Sequence, residues 1–160
     1  FITRNYIVRG RMNRNMVDIS LNIAGYYIDF RNAVYFIAEK LNSIKEDLIV
    51  IKGNCDSEVD TLISEFDFLD NTVIVDNNKT VFLTHGHVYN IDNPPKTKFS
   101  AVIYGHFHTG FIKEKDSTVF ANTGSVALPK NDTKKSYILI DNGTLYLKDL
   151  DKNIIDKTEL

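Results

Sequence analysis

A single cysteine, Cys55, in 160 residues excludes an internal disulfide and suits a reducing, cytoplasmic address. No apolar run nears the roughly 18 residues needed to span a bilayer. The first residues carry arginines and asparagines where a secretory signal would have its apolar core. Neither charge sign dominates: a net charge of -2 gives no general attraction to nucleic acid or to an anionic membrane, and neither is expected as a partner. Internal repeats and low-complexity linkers are also missing. With 43% hydrophobic residues, the chain reads as one globular domain over 1–160.

Two further absences concern chemistry. No histidine precedes His85, and no Gly-Asp dipeptide occurs anywhere. Charge types are also segregated: the five arginines (Arg4, Arg9, Arg11, Arg14, Arg31) lie in the first 31 residues and the 14 lysines begin at Lys40. Only Asp18 and Asp29 are acidic before Arg31, and the chain starts at Phe1. The composition therefore breaks between about residues 30 and 40. The first segment is read either as a locally basic stretch that binds phosphate or a partner, or as a third of different origin, as after truncation or a change of frame.

Residues 1–17 have no clean period beyond a weak strand near Tyr6 to Val8, and Leu21 to Ile28 suggest a second strand broken at Gly25. From an N-cap at Asn32, the spacing of Val34, Ile37, Leu41 and Ile44 predicts a helix. Leu48 to Ile51 form a continuous apolar run, as expected of a strand covered on both faces. A helix beginning at Asp56 or Ser57 would carry Val59, Leu62, Ile63 and Phe66. Two hairpins are expected: Thr72–Val75 with Thr80–Thr84 around Asp76-Asn77-Asn78, and Ser136–Ile140 with Thr144–Leu147 around Asp141-Asn142-Gly143. Between them fall strands at Ala101–Tyr104, Phe111–Lys115 and Val119–Ala121, and residues 149–160 read as an edge strand with a loose tail.

The histidines that are present are all in two places. Thr80-Val81-Phe82-Leu83-Thr84 runs into His85-Gly86-His87, and Ala101-Val102-Ile103-Tyr104-Gly105 runs into His106-Phe107-His108. Core packing has no use for polar rings at the ends of two apolar strands, whereas two residues of spacing on an extended or tightly turned backbone lets both rings face one ion. Gly53-Asn54 and Asn122-Thr123-Gly124-Ser125 end two further apolar strands. An amide oxygen with imidazoles makes a mixed N/O donor set, suited to Mn, Fe, Zn or Co more than to Ca.

The stretches Gly53-Asn54-Cys55-Asp56-Ser57-Glu58-Val59-Asp60, Phe82-Leu83-Thr84-His85-Gly86-His87, Tyr104-Gly105-His106-Phe107-His108 and Asn122-Thr123-Gly124-Ser125-Val126 occur in the order found in calcineurin-like metallophosphoesterases. The chain resembles in particular the small bacterial YfcE-type phosphodiesterase branch, over residues of about 38–150. The resemblance implies an α/β fold, a two-sheet β-sandwich flanked by helices, with two divalent metals at the sheet edges. It assigns Asn54, His85 and His106 to the second metal and His108 to the first. It also implies hydrolysis of small phosphodiesters by a metal-bound hydroxide, with manganese the first choice of ion. In much of the wider family a histidine follows the asparagine and helps protonate the leaving group. Here Cys55 stands in that place, as in the YfcE-type branch, so the acid is unassigned, and His87 is a candidate to contact substrate or a ligand.

The departures are specific. The family's opening Asp-X-His and Gly-Asp motifs, the latter carrying a metal-bridging Asp, have no counterpart, and Phe107 replaces a small polar residue. Asp18, 36 residues before Asn54, is the candidate remnant of the bridging Asp. Residues 1–37 are thus an atypical or truncated first-strand region attached to a family-like body at 38–150. The two alternatives to an enzyme are a catalytically inactive binding module on the same scaffold, as in the retromer subunit of this fold, and a one-metal binder. A missing first strand would leave a central sheet edge open to pairing with another copy.

Overall fold

The structure, a computed structural model, describes residues 3–8, 17–19, 21–24, 38–54, 56, 62 and 64–160, the first three stretches by their backbone. Its strands in chain order are β1 (Thr3–Val8), β2 (Val17–Ile19), β3 (Leu21–Ala24), β4 (Leu48–Ile51), β5 (Phe68–Leu69), β6 (Asn71–Asp76), β7 (Lys79–Thr84), β8 (Ala101–Tyr104), β9 (Phe111–Lys115), β10 (Thr118–Asn122), β11 (Ser136–Asp141), β12 (Thr144–Asp149) and β13 (Ile154–Glu159). Hydrogen bonding arranges them as a five-stranded sheet β6-β7-β8-β10-β9 and two four-stranded sheets, β13-β12-β11-β2 and β3-β1-β4-β5.

Sequence explains the centre of the five-stranded sheet directly. β8 and β10 are buried at every position, as their unbroken apolar runs require when both faces are covered. One face sends Val81, Leu83, Ala101, Ile103, Val119 and Ala121 against Ile138, Ile140, Leu145 and Leu147 of the β11–β12 sheet. The other sends Phe82, Val102, Tyr104 and Phe120 against Tyr89, Ile91, Phe99 and Phe111 of the loops and edge. The period of two along each strand sorts branched aliphatics to one core and aromatics to the other. Ile51 of β4 joins the first core, which ties the third sheet to the sandwich.

The strand directions decide where the chemistry goes. β7, β8 and β10 are mutually parallel, so their carboxyl ends lie together. The flanking strands β6 and β9 are antiparallel to them and return through tight turns at the opposite end.

Both expected hairpins are present, and residues 38–42 are helical within the helix expected from Asn32; its earlier residues lie outside the described ones. Of the helix expected after Asp56, most lies outside the described residues. Its intended apolar face is corrected at Leu62, which is 82% exposed. Phe66 sits in a bend and packs on Phe68, 5.5 Å between rings. The expected loose tail is corrected too: β13 runs to Glu159, Leu160 N donates to Gly143 O (2.8 Å), and the Leu160 side chain joins the core. Nor is β4 left with an open side, because β1 pairs with it antiparallel and β5 parallel. Among the described residues no helix is long and apolar enough to cross a membrane.

Candidate metal centre

The ends of the three parallel strands are fastened to one another by hydrogen bonds. Gly105 N donates to His85 O (3.0 Å), joining the end of β7 to that of β8. Thr123 N donates to Tyr104 O (2.9 Å), and the fully buried Asn122 side chain donates to Gly105 O while its Oδ1 accepts from Gly124 N (2.9 Å). Asn122 thus satisfies backbone groups that the two turns cannot pair within themselves.

His106 and His108 both have φ of 61°, so the two-residue spacing works through left-handed residues in a tight turn and not through an extended strand. Gly86, at φ 112°, has no room for a side chain: an added Cβ would lie 2.9 Å from Tyr104 Cδ2 and 3.1 Å from His106 Cβ. The glycine lets the turns after β7 and β8 approach.

This approach assembles the donors. His85 Nε2 lies 3.0 Å from Asn54 Oδ1 and 3.2 Å from His106 Nδ1. The His85 and His106 rings meet edge to face at 5.0 Å, and the exposed His87 ring is 5.3 Å from His85 and 6.2 Å from His106. His108 is buried and separate: its Nδ1 donates to Leu128 O (3.0 Å). A carbonyl only accepts, so this bond puts the proton on Nδ1 and leaves the Nε2 lone pair for a ligand.

Burial is the first cause that holds these rings neutral. His85, 4% exposed, has its pKa pushed down to about 4 by burial and then by the neighbouring imidazoles. His106 is lowered by burial, by His87 and His108, and by the charge of Lys130; His108 is lowered by burial and Lys130 against the opposing pull of the Leu128 carbonyl. A neutral imidazole is the metal-binding form.

The donor set fits a cation for a geometric reason. Asn54 Oδ1 carries no proton, and a proton on either facing imidazole nitrogen cannot lie along both the 3.0 Å and the 3.2 Å contact. One of the two contacts is therefore left without a well-directed proton, an arrangement that a cation shared by all three atoms would resolve. Donors about 2.0–2.1 Å from a tetrahedral ion sit about 3.3 Å apart, near the separations seen. The fit is to one ion. Among the described residues no three His, Cys, Asp or Glu side chains form a metal-binding group, and His108 is the one expected ligand of the first ion that they include.

The fold brings Asn54, His85, His87 and His106 into one cluster, with His108 beside it. Asp18 lies on β2, paired with Leu139 of β11 in the sheet β13-β12-β11-β2, with its side chain outside the described residues, as Cys55 is. Sequence reasoning missed the carbonyl of Leu128, Asp56 Oδ2, which accepts from Gly53 N (2.7 Å) at the turn before Asn54, and Lys130. No spacing signal marks them, since each acts through a turn.

Residues 24–144 match the family described as the calcineurin-like phosphoesterase superfamily domain. The chain is 34% identical over 112 residues to phosphodiesterase YfcE of Escherichia coli K12, covering 68% of this chain and 60% of that protein, so it spans less than two thirds of the curated relative. The structure of the E. coli YfcE phosphoesterase superposes with a TM-score of 0.73 at 30% identity, covering 78% of this chain and 70% of that one. The vacuolar protein sorting 29 structure from Cryptosporidium parvum matches at a TM-score of 0.56 and 23% identity, over 79% and 76% of the two chains, a likeness of fold alone.

Proposed function

The chain belongs to the calcineurin-like phosphoesterase superfamily, and from that premise we propose that it hydrolyses small phosphodiesters with a divalent cation held by Asn54, His85 and His106. Manganese is the first choice of ion, with zinc, iron and cobalt compatible with the same donors. The observation that carries the reading is the convergence of three donor atoms whose contacts cannot all be hydrogen bonds. The relatives named as phosphodiesterases support the choice of reaction.

When bound, such a cation neutralises phosphoryl oxygens and supplies hydroxide near neutral pH. The chain's own residues do the rest. His85 stays neutral through the physiological range and keeps its lone pair available. The Leu128 carbonyl fixes the tautomer of His108, which would offer Nε2 to the first ion of the family's pair. Asp18 remains the proposed bridging carboxylate for that ion. His87, exposed beside His85, is the proposed donor of a proton or hydrogen bond to the leaving oxygen, and Cys55, which follows Asn54 in sequence, is the other catalytic candidate.

A second reading, a binding module that retains one ion without turnover, is favoured by the convergence of Asn54, His85 and His106 alone, since among the described residues no three His, Cys, Asp or Glu side chains form a metal-binding group. Elemental analysis after purification in manganese, with hydrolysis of an aryl phosphodiester on the same sample, separates the two. Two ions per chain with turnover are expected of the enzyme, and one ion without turnover of the module. In either case His106→Ala should remove the bound ion, and unchanged metal content in that variant would sink the ligand assignment.

A further inference from the structure

We propose that β6 is the contact strand of a two-fold homodimer, in which two copies pair their β6 edges antiparallel about Ile74 and so join their five-stranded sheets. The inference is independent of the functional reading above.

The strand is an edge with free backbone groups. β6 ends the order β6-β7-β8-β10-β9, so among the described strands only β7 lies beside it. The two-residue turn through Asn77 and Asn78, both at positive φ, makes Asp76 and Lys79 a pair that exchanges both hydrogen bonds. Alternation then turns the backbone groups of Thr72, Ile74 and Asp76 toward β7 and leaves the N–H and C=O of Asn71, Val73 and Val75 facing outward. The ladder to β7 runs from Asn71 to Asp76 without a shift of register, so no bulge twists this edge away. Val73 and Val75 are 46% and 68% exposed.

The other edges are guarded. β9, at the far side of the same sheet, exposes Lys113, Glu114 and Lys115. β13 carries Asp156, Lys157 and Glu159, and its ladder shifts register between Leu147 and Lys148. β2, β3 and β5 have only three, four and two residues. Charge, a bulge and short length are the devices that keep an edge from pairing, and β6 has none of them between Asn71 and Val75.

The strand is complementary to itself, which selects a second copy as the occupant. About Ile74, Val73 of each copy lies opposite Val75 of the other, so the exposed valines of both copies gather on one face and their outward backbone groups exchange bonds. Thr72 lies opposite Asp76, whose Oδ2 is already held by Gly143 N (2.6 Å). The competing register, about Val73, would set Asp70 against Asp76, like charges directly opposed. Two-fold pairing uses the edge of both copies, so association stops at two. Stable interfaces take roughly 20–30 residues a side, and a six-residue strand supplies fewer, which makes this dimer weak and concentration-dependent.

The test is sedimentation equilibrium of the full chain from micromolar to millimolar concentration, where wild type should pass from monomer to dimer. Val75→Lys should raise the dissociation constant at least about tenfold with the circular dichroism of the fold unchanged, and Val75→Thr, neutral and branched, should stay within about threefold of wild type. The double variant Val73→Lys with Val75→Glu fixes the register: about Ile74 each introduced lysine faces an introduced glutamate, and the dimer should return at low salt. About Val73 the two lysines would face each other. A monomeric wild type at millimolar concentration, a Val75→Lys dimer as tight as that of wild type, or a double variant that stays monomeric would each overturn the proposal. Hydrogen exchange identifies the other occupant: Val73 and Val75 amides protected in a monomeric wild type would mean that another segment of the same chain covers the edge.

Discussion

The two ends of the five-stranded sheet use the same unusual backbone conformation with different residues. At the end away from the histidines, two-residue turns join β6–β7 and β9–β10 of this sheet and β11–β12 of the sheet packed on it, through Asn77 and Asn78, Asp116 and Ser117, and Asn142 and Gly143, all at positive φ between 45° and 75°. Asparagine, aspartate and glycine adopt this conformation at little cost, and paired positive φ matches the twist of a hairpin. At the other end the left-handed residues include His106 and His108, both at 61°. An ordinary side chain loses roughly 1–2 kcal/mol there. Local preference explains the turns; at the histidines the conformation persists because Asn122, Thr123 and Gly105 fasten the strand ends across the sheet. Left-handed backbone at larger side chains, found also at Ser117 and Lys152, is used at this end to make the imidazoles converge.

The contrast predicts that glycines at the two ends are not equally replaceable. Gly124, at φ 71°, follows β10; an added Cβ there would run into the Ser136 hydroxyl and lie 3.2 Å from the backbone nitrogen of Gly110. Ser136 is buried and its hydroxyl donates to Thr123 O (3.0 Å), so it cannot move aside without losing a bond. Gly143, at φ 75°, would place its Cβ 3.2 Å from Asn77 Nδ2, the end of an exposed side chain. Gly124→Ala should cost about 3 kcal/mol or more, and Gly143→Ala about 1 kcal/mol. Urea unfolding of the two variants measures the difference, and equal costs would break the comparison.

How much of this was legible in the sequence divides along the same line. The turn end was readable: Asn77-Asn78 and Asn142-Gly143 between alternating or apolar runs announce hairpins, and both formed. Strands β8 and β9 match the expected bounds because continuous or branched runs between turns leave few other choices. β2 and β5, three and two residues long, are too short to carry a period and were not anticipated. At the other end, the histidine pairs pointed to a metal. Neither their left-handed backbone nor the meeting of Asn54 with His85, 31 positions apart, is encoded in local spacing. The approach of the two histidine turns follows from parallel strands ending together, and Asn54 is brought to them by β4 of another sheet, whose Ile51 packs in the shared core.

Proton linkage sharpens the comparison with a smaller effect. His85 titrates near 4 in the folded chain and near 6.5 when exposed. Between those values the unfolded chain binds the extra proton, so stability rises with pH across the window. Stability is full above 6.5 and falls as the pH drops toward 4, by on the order of 2–3 kcal/mol for this group. His106 and His108, also lowered, act in the same direction. Denaturant unfolding of the chelated protein at several pH values should show the slope. His85→Gln should flatten it, and Asn77→Ala, at the turn end, should leave it in place. A slope unchanged in His85→Gln would place the responsible groups elsewhere.

The smallest effect isolates the backbone itself. If His106 is held in a left-handed conformation that asparagine tolerates better, then His106→Asn should stabilise the metal-free chain by about 0.5–1 kcal/mol while lowering its metal content. The reciprocal substitution at the turn end, Asn77→His, should destabilise by a similar amount and leave metal content alone, because φ there is 45° and no imidazole cluster is near. The ring contacts of His106, 5.0 Å from both His85 and Phe107, oppose the first effect, since asparagine cannot reproduce them. Those contacts include His85 Nε2 facing His106 Nδ1 at 3.2 Å, which competes with the Asn54 contact for a single proton direction in the absence of an ion. They therefore hold the metal-free site less firmly than their number suggests, and the backbone term should win. A destabilised His106→Asn would mean that ring packing, and not a bound cation, keeps the imidazoles together.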